Sequence, residues 1–575
     1  MKTKLLLSIL LFGTQFQIDA QVMKPVPVEN LHLNSSDLNR NIQSIQNLPY
    51  PIIFIHGLNS DSYVWDDMLT FMTNTLNLTY GGRLDFCLNA NGSNSDTNKL
   101  VYSVNGNNSD IRRFNNITLQ SADFFRINFD VSIDGTPFTT ISNDFKSNES
   151  AIVKQGIALK LAIQEILTLT HKDKVILMGH SMGGLCAREY LQNQDIWTEP
   201  YLNHHIAKLI TTGTPHGGYE GTAIVSDPTD PIDWQSEAYR DLRSSYLFSG
   251  YNGVYLYGGI ESDSYMRNNL LSNFYNVDVN CNGIVGENIV GLNQKNLYNN
   301  VDYAYIIGNC TGCPTSFAGD GVVRDYNANF NNFYNLQTPK NEFIYSAIGA
   351  VEIHSELPKQ IIQNMQALDE PNFIGLGYNL DFDITYKGFI YTQPVGGYPI
   401  DYDFYKFTLT SNSQVNVLVN NFAHPNLIAV IYDSAGIAVS NFVSGNSLTP
   451  INFSQNLLAG NYSLIIYGTQ PASNVDIYPY NYKISRTTLS NPDFTTANSL
   501  KIYPNPTSSK VSFDNTIDKF ETATVINYLG QVVSEIRFSS FEVSQQIDLS
   551  SFTAGVYIVK FTNNDKSITK KVIKE

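Results

Sequence analysis

Positive charge is scarce in this chain. Its 575 residues carry 36 Lys and Arg against 52 Asp and Glu, a formal charge of -16. A surface of that sign repels polyanions, which argues against nucleic acid as the partner and leaves neutral or apolar ligands. Long apolar runs are lacking too. Beyond the amino-terminal residues no stretch is apolar for the length that a bilayer requires, so the mature protein is expected to be soluble or attached to a surface by other means. Cysteine is rare, and the five present are an odd number, which leaves at least one thiol unpaired. What the chain does have is material for packed cores, with 42% hydrophobic and 12% aromatic residues, over a length that corresponds to several domains.

The start, "MKTKLLLSILLFGTQFQIDAQ", joins a basic region (Lys2, Lys4) to a short apolar stretch and a small residue, Ala20. Residues 1–20 therefore read as a secretory signal peptide, and export permits disulfides. Cys186, within a helix-like run, is most simply a buried free thiol. Cys310 and Cys313 have CxxC spacing in "GNCTGCPTS", with Cys281 upstream. No second CxxC exists to complete a zinc site. A loop-stapling disulfide among these three is the expectation.

From Pro51 to about Leu357, apolar strand-like runs alternate with helical periodicity: "PIIFIHG", "ADFFRINFD", a helix over about 152–169, "KVILMGHS", "AKLITTGTPHGG", "DYAYIIGNC" and "EFIYSAIG". The alternation predicts a mostly parallel sheet with helices on both faces. In such folds the chemistry lies at the carboxyl ends of strands, and His56, Ser181, His216 and Cys310 all fall there. After about Gly375 short alternating strands with turn signals predict a β-sandwich over 378–487. A linker at 488–499 and a final small all-β unit at 500–575 follow.

The stretch "VILMGHSMGGLCAREYL" sets Ser181 between Gly179 and Gly183, after a strand and before a helix. A nucleophile elbow needs this arrangement: the strained turn pushes the hydroxyl out of the sheet, and the glycines remove Cβ atoms that would clash. The helix amino terminus beneath favours negative charge on a bound acyl oxygen. A serine hydroxyl still requires a base.

Together, "FIHGLNSDSYVW", "VILMGHSMGGLCAR" and "LITTGTPHGG" resemble the α/β-hydrolases of the bacterial lipase and GPI inositol-deacylase type over about Pro51 to Leu357. The resemblance implies a catalytic domain over 21–370 and a triad in the order serine, acid, histidine. "FAGDGVVRDY" then offers Asp320 as the acid, with Asp325 as the rival, and "VEIHSEL" offers His354 as the base. It also implies an oxyanion hole from the backbone N–H groups of Leu58 and Met182. His180 neighbours the nucleophile and is expected to point elsewhere. His56 and His216 are expected to hold loops, and His204 and His205 lie at the wrong end of a strand.

An insertion over about 219–300 is rich in Tyr, Phe, Asn and Gly, and the resemblance implies that it forms a lid or cap that would receive acyl chains, against a plain surface insertion. Within it "DVNCNGIVGEN" opens like a calcium loop, through Asp278, Asn280 and Asn282 with Gly283 at the turn. Its twelfth position is Ile289, with Glu287 close by, so a structural calcium ion stands against a plain asparagine-rich turn.

The tail, with "SLKIYPNPTSSKVSF", "AGVYIVKF" and "KKVIKE", resembles the sorting domain of the type IX secretion system of Bacteroidetes. That resemblance implies passage through the periplasm to the cell surface or medium, with the secretion machinery as partner. The preceding sandwich resembles the prepeptidase carboxyl-terminal domain. The expected protein is a secreted serine carboxylester hydrolase, a lipase or esterase, that needs no cofactor and acts on an ester or lipid. A phospholipase or amide hydrolase on the same triad, or a surface binding protein with a degenerate hydrolase domain, are the alternatives.

Overall fold

The computed structural model describes residues 25–26, 47–88, 111–115, 117–132, 135–137, 147–197, 203–219, 237–242, 260–262, 288–310, 313, 318–333, 353–391, 400–468, 477–488, 500–563 and 567–575. The expected signal peptide, most of the 219–300 insertion with Asp278, Asn280 and Asn282, the strand expected at "EFIYSAIG" and most of the linker lie outside these residues.

Eight strands form the first sheet: β1 (Pro25–Val26), β2 (Ile52–Ile55), β3 (Tyr80–Leu88), β4 (Ile111–Phe114), β5 (Phe124–Asn128), β6 (Val175–His180), β7 (Ile206–Thr212) and β8 (Asp302–Ile306). Their spatial order is β1-β4-β3-β5-β2-β6-β7-β8. From β3 to β8 neighbours run parallel, and only the β1, β4 edge is antiparallel. The helices are α1 (Asp66–Asn74), α2 (Ile152–Thr170), α3 (Met182–Gln192), α4 (Glu237–Asp241), α5 (Asp325–Ala328) and α6 (Ile361–Leu368).

Alternation along the strands sorts their side chains onto two faces. Ile53, Ile55, Phe125, Leu177 and Leu209 pack with Ala158, Ile163 and Leu167 of α2 and Ala187 and Leu191 of α3. Ile52, Phe54, Phe124, Met178 and Ile210 face the other way, with Met68 and Met72 of α1 and Met365 of α6. Helices thus cover both faces, as the alternating pattern predicts. The amino terminus of α2 is capped from far along the chain: Ala151 N–H donates to Glu237 Oε2 (3.0 Å) and Ile152 N–H to Asp241 Oδ2 (2.9 Å). Lys154 closes on Glu237 at 2.7 Å. Both carboxylates complement the positive end of the helix dipole.

The described residues of 378–488 form a five-stranded and a four-stranded sheet, and in Tyr402–Leu409 buried residues alternate with half-buried or exposed ones. Their core, with Tyr386, Tyr405, Tyr480 and Tyr482, is continuous with the α1, α6 face of the first sheet. The rings of Tyr50 and Tyr378 meet edge to face at 5.2 Å, Lys387 N–H donates to Asn47 C=O (2.7 Å), and Tyr391 O–H donates to Met365 C=O (2.6 Å). The chain divides into two compact units, and this sandwich belongs with the eight-stranded sheet in the first. The second is a three-stranded and a four-stranded sheet with a separate core around Phe513, Phe520 and Phe561. Among the described residues no helix is long and apolar enough to cross a membrane.

Candidate active site

Ser181 sits between β6 and α3 with φ 53 and ψ -129. A non-glycine residue held at positive φ costs about 1–3 kcal/mol and persists only where its surroundings impose it. Here Ser181 N–H donates to Thr212 C=O (2.9 Å) and Gly184 N–H to Ser181 C=O (3.1 Å). The turn is crowded by backbone. A Cβ on Gly183 would lie 2.5 Å from His56 O and 2.7 Å from Ile55 O, and one on Gly57 would lie 2.6 Å from Ser181 Cβ. Gly57, which lies against Ser181, directly precedes Leu58 in the chain, and Met182 is the first residue of α3.

Ser181 Oγ lies 2.8 Å from His354 Nε2, and His354 Nδ1 lies 2.7 Å from Asp320 Oδ2. Ser181 and His354 are half-buried, whereas Asp320 is buried. Asp320 Oδ1 accepts the N–H groups of Val322 (3.0 Å) and Val323 (2.7 Å), so its second oxygen is aimed at the imidazole. The backbone of His354 is tied in as well, with its N–H donating to Asp320 C=O at 2.9 Å. Gly213 (φ +58) permits this closure: a Cβ there would lie 2.7 Å from Leu357 Cδ1 and 3.2 Å from both Asp320 Oδ2 and His354 Nδ1. Asp325, the rival acid, instead opens α5 and accepts Tyr326 N–H at 2.6 Å.

The acid turn is braced from outside. Cys310 and Cys313 form a disulfide, Cys310 N–H donates to Gly319 C=O at 2.7 Å, and a Cβ on Gly321 would lie 2.8 Å from Cys313 Sγ. Cys87 and Cys186 are both buried, and among the described residues Cys186 is a free thiol. Burial, and then the Glu189 charge, push the Cys186 thiol well up, so it stays protonated and unreactive.

The remaining histidines of the motifs are held neutral. His56 Nε2 accepts Phe129 N–H (2.8 Å), so its Nδ1–H donates to Gly57 C=O (2.9 Å). Burial lowers its pKa to about 4. His216 Nδ1 accepts from Arg188 (3.1 Å), its Nε2 meets Thr211 Oγ1 at 3.0 Å, and its ring stacks on Phe330 at 4.3 Å. Both bind loops together, and neither faces Ser181. His204 accepts Ile206 N–H at 2.9 Å, away from the elbow.

His180 differs from expectation. Its Nε2 lies 2.9 Å from the backbone oxygen of His354, and the two rings are 4.8 Å apart. A group of carboxylates was likewise not foreseen. Asp369, Glu370 and Asp403, all buried, bring carboxylate oxygens within 4.8 Å of one another, a group that could hold a metal ion. Burial pushes Glu370 up to about 8. The signal was present in "DYDFYKF", where Asp403 occupies an inward position of an alternating strand.

This arrangement of strand, elbow and helix lies inside a recognisable unit. Residues 49–222 match the PGAP1-like alpha/beta domain. Residues 501–575 match the secretion system C-terminal sorting domain. No curated protein matches the chain. Similar solved structures include a gene product of Listeria innocua, 14% identical, covering 56% of this chain and 94% of its own, with a TM-score of 0.31. The lipase BlEst2 of Bacillus licheniformis in propeptide form is 13% identical and covers 91% and 93%, with a TM-score of 0.28. The pre-peptidase C-terminal domain of a Bacillus anthracis collagenase is 18% identical and covers 19% and 92%, with a TM-score of 0.15. The PGAP1-like domain and the sheet order together define an α/β-hydrolase fold, followed by all-β sheets.

Proposed function

We propose that this protein is a secreted serine carboxylester hydrolase, a lipase or esterase, that works through an acyl-Ser181 intermediate. The observation that carries the reading is the chain of short contacts from Ser181 Oγ to His354 to Asp320 on a strained elbow. In the proposed reaction Ser181 Oγ attacks the ester carbonyl while His354 Nε2 takes its proton. The imidazolium so formed is stabilised by Asp320, which also keeps the proton on Nδ1. Negative charge on the carbonyl oxygen is met by the N–H groups of Leu58 and Met182, backbone donors that cannot rotate away. His354 then protonates the departing alkoxide, and a water activated by the same imidazole releases the acid and restores Ser181.

Export by the type IX route is proposed on the sorting-domain match. The enzyme reading is tested with a fluorophosphonate probe and a p-nitrophenyl butyrate assay. Wild type should be labelled and active, and Ser181→Ala should be neither. Folded wild type that takes no label would favour a non-catalytic binding protein instead.

A further inference from the structure

We propose that His180 is a positioning residue for the catalytic base: it holds the backbone of His354 and thereby sets the distance from Ser181 to the imidazole. The inference rests on the triad reading. A carbonyl oxygen only accepts, so the 2.9 Å contact to His354 O requires the proton on His180 Nε2, which donates it. Two consecutive residues at the end of β6 therefore grip the same histidine. Ser181 Oγ meets its ring and His180 meets its main chain. With His354 N–H held by Asp320 C=O and Nδ1 by Asp320 Oδ2, both main-chain polar groups and both ring nitrogens of His354 have partners. All four come from three residues.

Two features argue against a plain core histidine. Once Nε2 donates, Nδ1 must accept, yet His180 Nδ1 is buried with no hydrogen-bond partner among the described residues. An apolar ring would fill the space without that unsatisfied nitrogen, so what Nε2 does accounts for the histidine. The ring is also kept uncharged: burial first, then the neighbouring His354 and His56, hold its pKa well below the usual histidine value. A neutral ring 4.8 Å from His354 does not oppose the imidazolium that forms there during the reaction. Trp65 stands edge-on to His180 at 6.4 Å and is itself pinned through Nε1–H to Ile55 C=O (3.2 Å), which limits how the His180 ring can turn.

The test uses the full chain and compares His180→Phe, which keeps an aromatic ring and loses the donor, with His180→Gln, whose amide N–H stands near the Nε2 position. Expected for His180→Phe is a kcat lowered about tenfold or more with KM within about twofold, at an unchanged or higher thermal midpoint. His180→Gln should recover kcat to within about threefold of wild type. A merely structural histidine predicts the reverse, since Phe suits a buried site better than Gln. Wild-type kcat in His180→Phe, or equal losses in both variants, would overturn the proposal while fluorophosphonate labelling of Ser181 left the triad reading standing. Failure of wild type to take the label would overturn both.

Discussion

At His354 Nδ1 the identity of the acid decides the tautomer. Asp320→Asn keeps the shape and loses the charge that stabilises the imidazolium, so kcat should fall by about 10³–10⁴. Asp325→Asn removes a carboxylate that only accepts Tyr326 N–H, and its turnover in the p-nitrophenyl butyrate assay should stay near wild type. The reverse result would reassign the acid. The meeting of Ser181, Asp320 and His354 was legible because the motif order that the resemblance implies names all three, whatever the loops between them do. His180 was not. The rule that neighbours in a strand point to opposite faces holds for regular backbone, and Ser181 at φ 53 ends that regularity at the residue after His180.

Among elements, the acid turn depends on the Cys310–Cys313 disulfide beside it. The loop it closes is short, so it contributes little to global stability, but it holds Gly319 to Gly321 where Asp320 must point. Replacing both cysteines by serine should leave the thermal midpoint nearly unchanged and lower kcat by up to about a hundredfold, the cost of displacing a catalytic group by about 1 Å. At the amino end of β7, His204 has its pKa lowered to about 4, first by burial. The folded state then keeps His204 neutral while the unfolded chain takes up a proton near pH 6.5, so this residue's contribution is lost as pH falls from about 6.5 to 4. The loss reaches about 3 kcal/mol at the lower end. His204→Asn cannot titrate, and its Oδ1 can still accept Ile206 N–H. The gap in thermal midpoint between the variant and wild type should therefore move in the variant's favour across that window; a constant gap would refute the assignment. The apolar strands β2, β5, β6, β7 and β8 and the helix α2 were visible in the sequence as runs of the right period. Strand β3 was not, because Arg83 and Asp85 interrupt it. They pair inside the protein, Nε donating to Oδ1 at 2.6 Å, which a pattern of apolar residues cannot reveal.

On the scale of the whole molecule, the two carboxyl-terminal parts should behave differently when removed. The 500–575 unit has its own core and none of the triad, so a chain ending near Ser490 should keep full specific activity, measured as turnover per labelled Ser181. A chain ending at Gly377 loses the partner of a shared core: Tyr50, Met365 and Leu368 would lose Tyr378, Phe389 and Tyr391 from their surroundings. It should be insoluble or lack a cooperative unfolding transition, even though every triad residue is present. Full solubility and activity in the shorter chain would show that the sheet is stable without the sandwich.

The shared core also bears on when the proposed activity can first arise. A chain emerges from ribosome or translocon with its amino terminus first, and Ser181, Asp320 and His354 are all made before residue 360. Tyr50 and Met365 still wait for Tyr378 and Tyr391, and the strand that carries Tyr391 pairs with residues as late as 477–483. Contacts between residues more than 300 positions apart, such as Asn379 N–H to Tyr50 Oη at 3.1 Å, carry a high loop-closure entropy and form slowly. Activity during synthesis should therefore lag well behind the appearance of the catalytic residues, leaving an inactive nascent chain with an uncovered face for chaperones to bind.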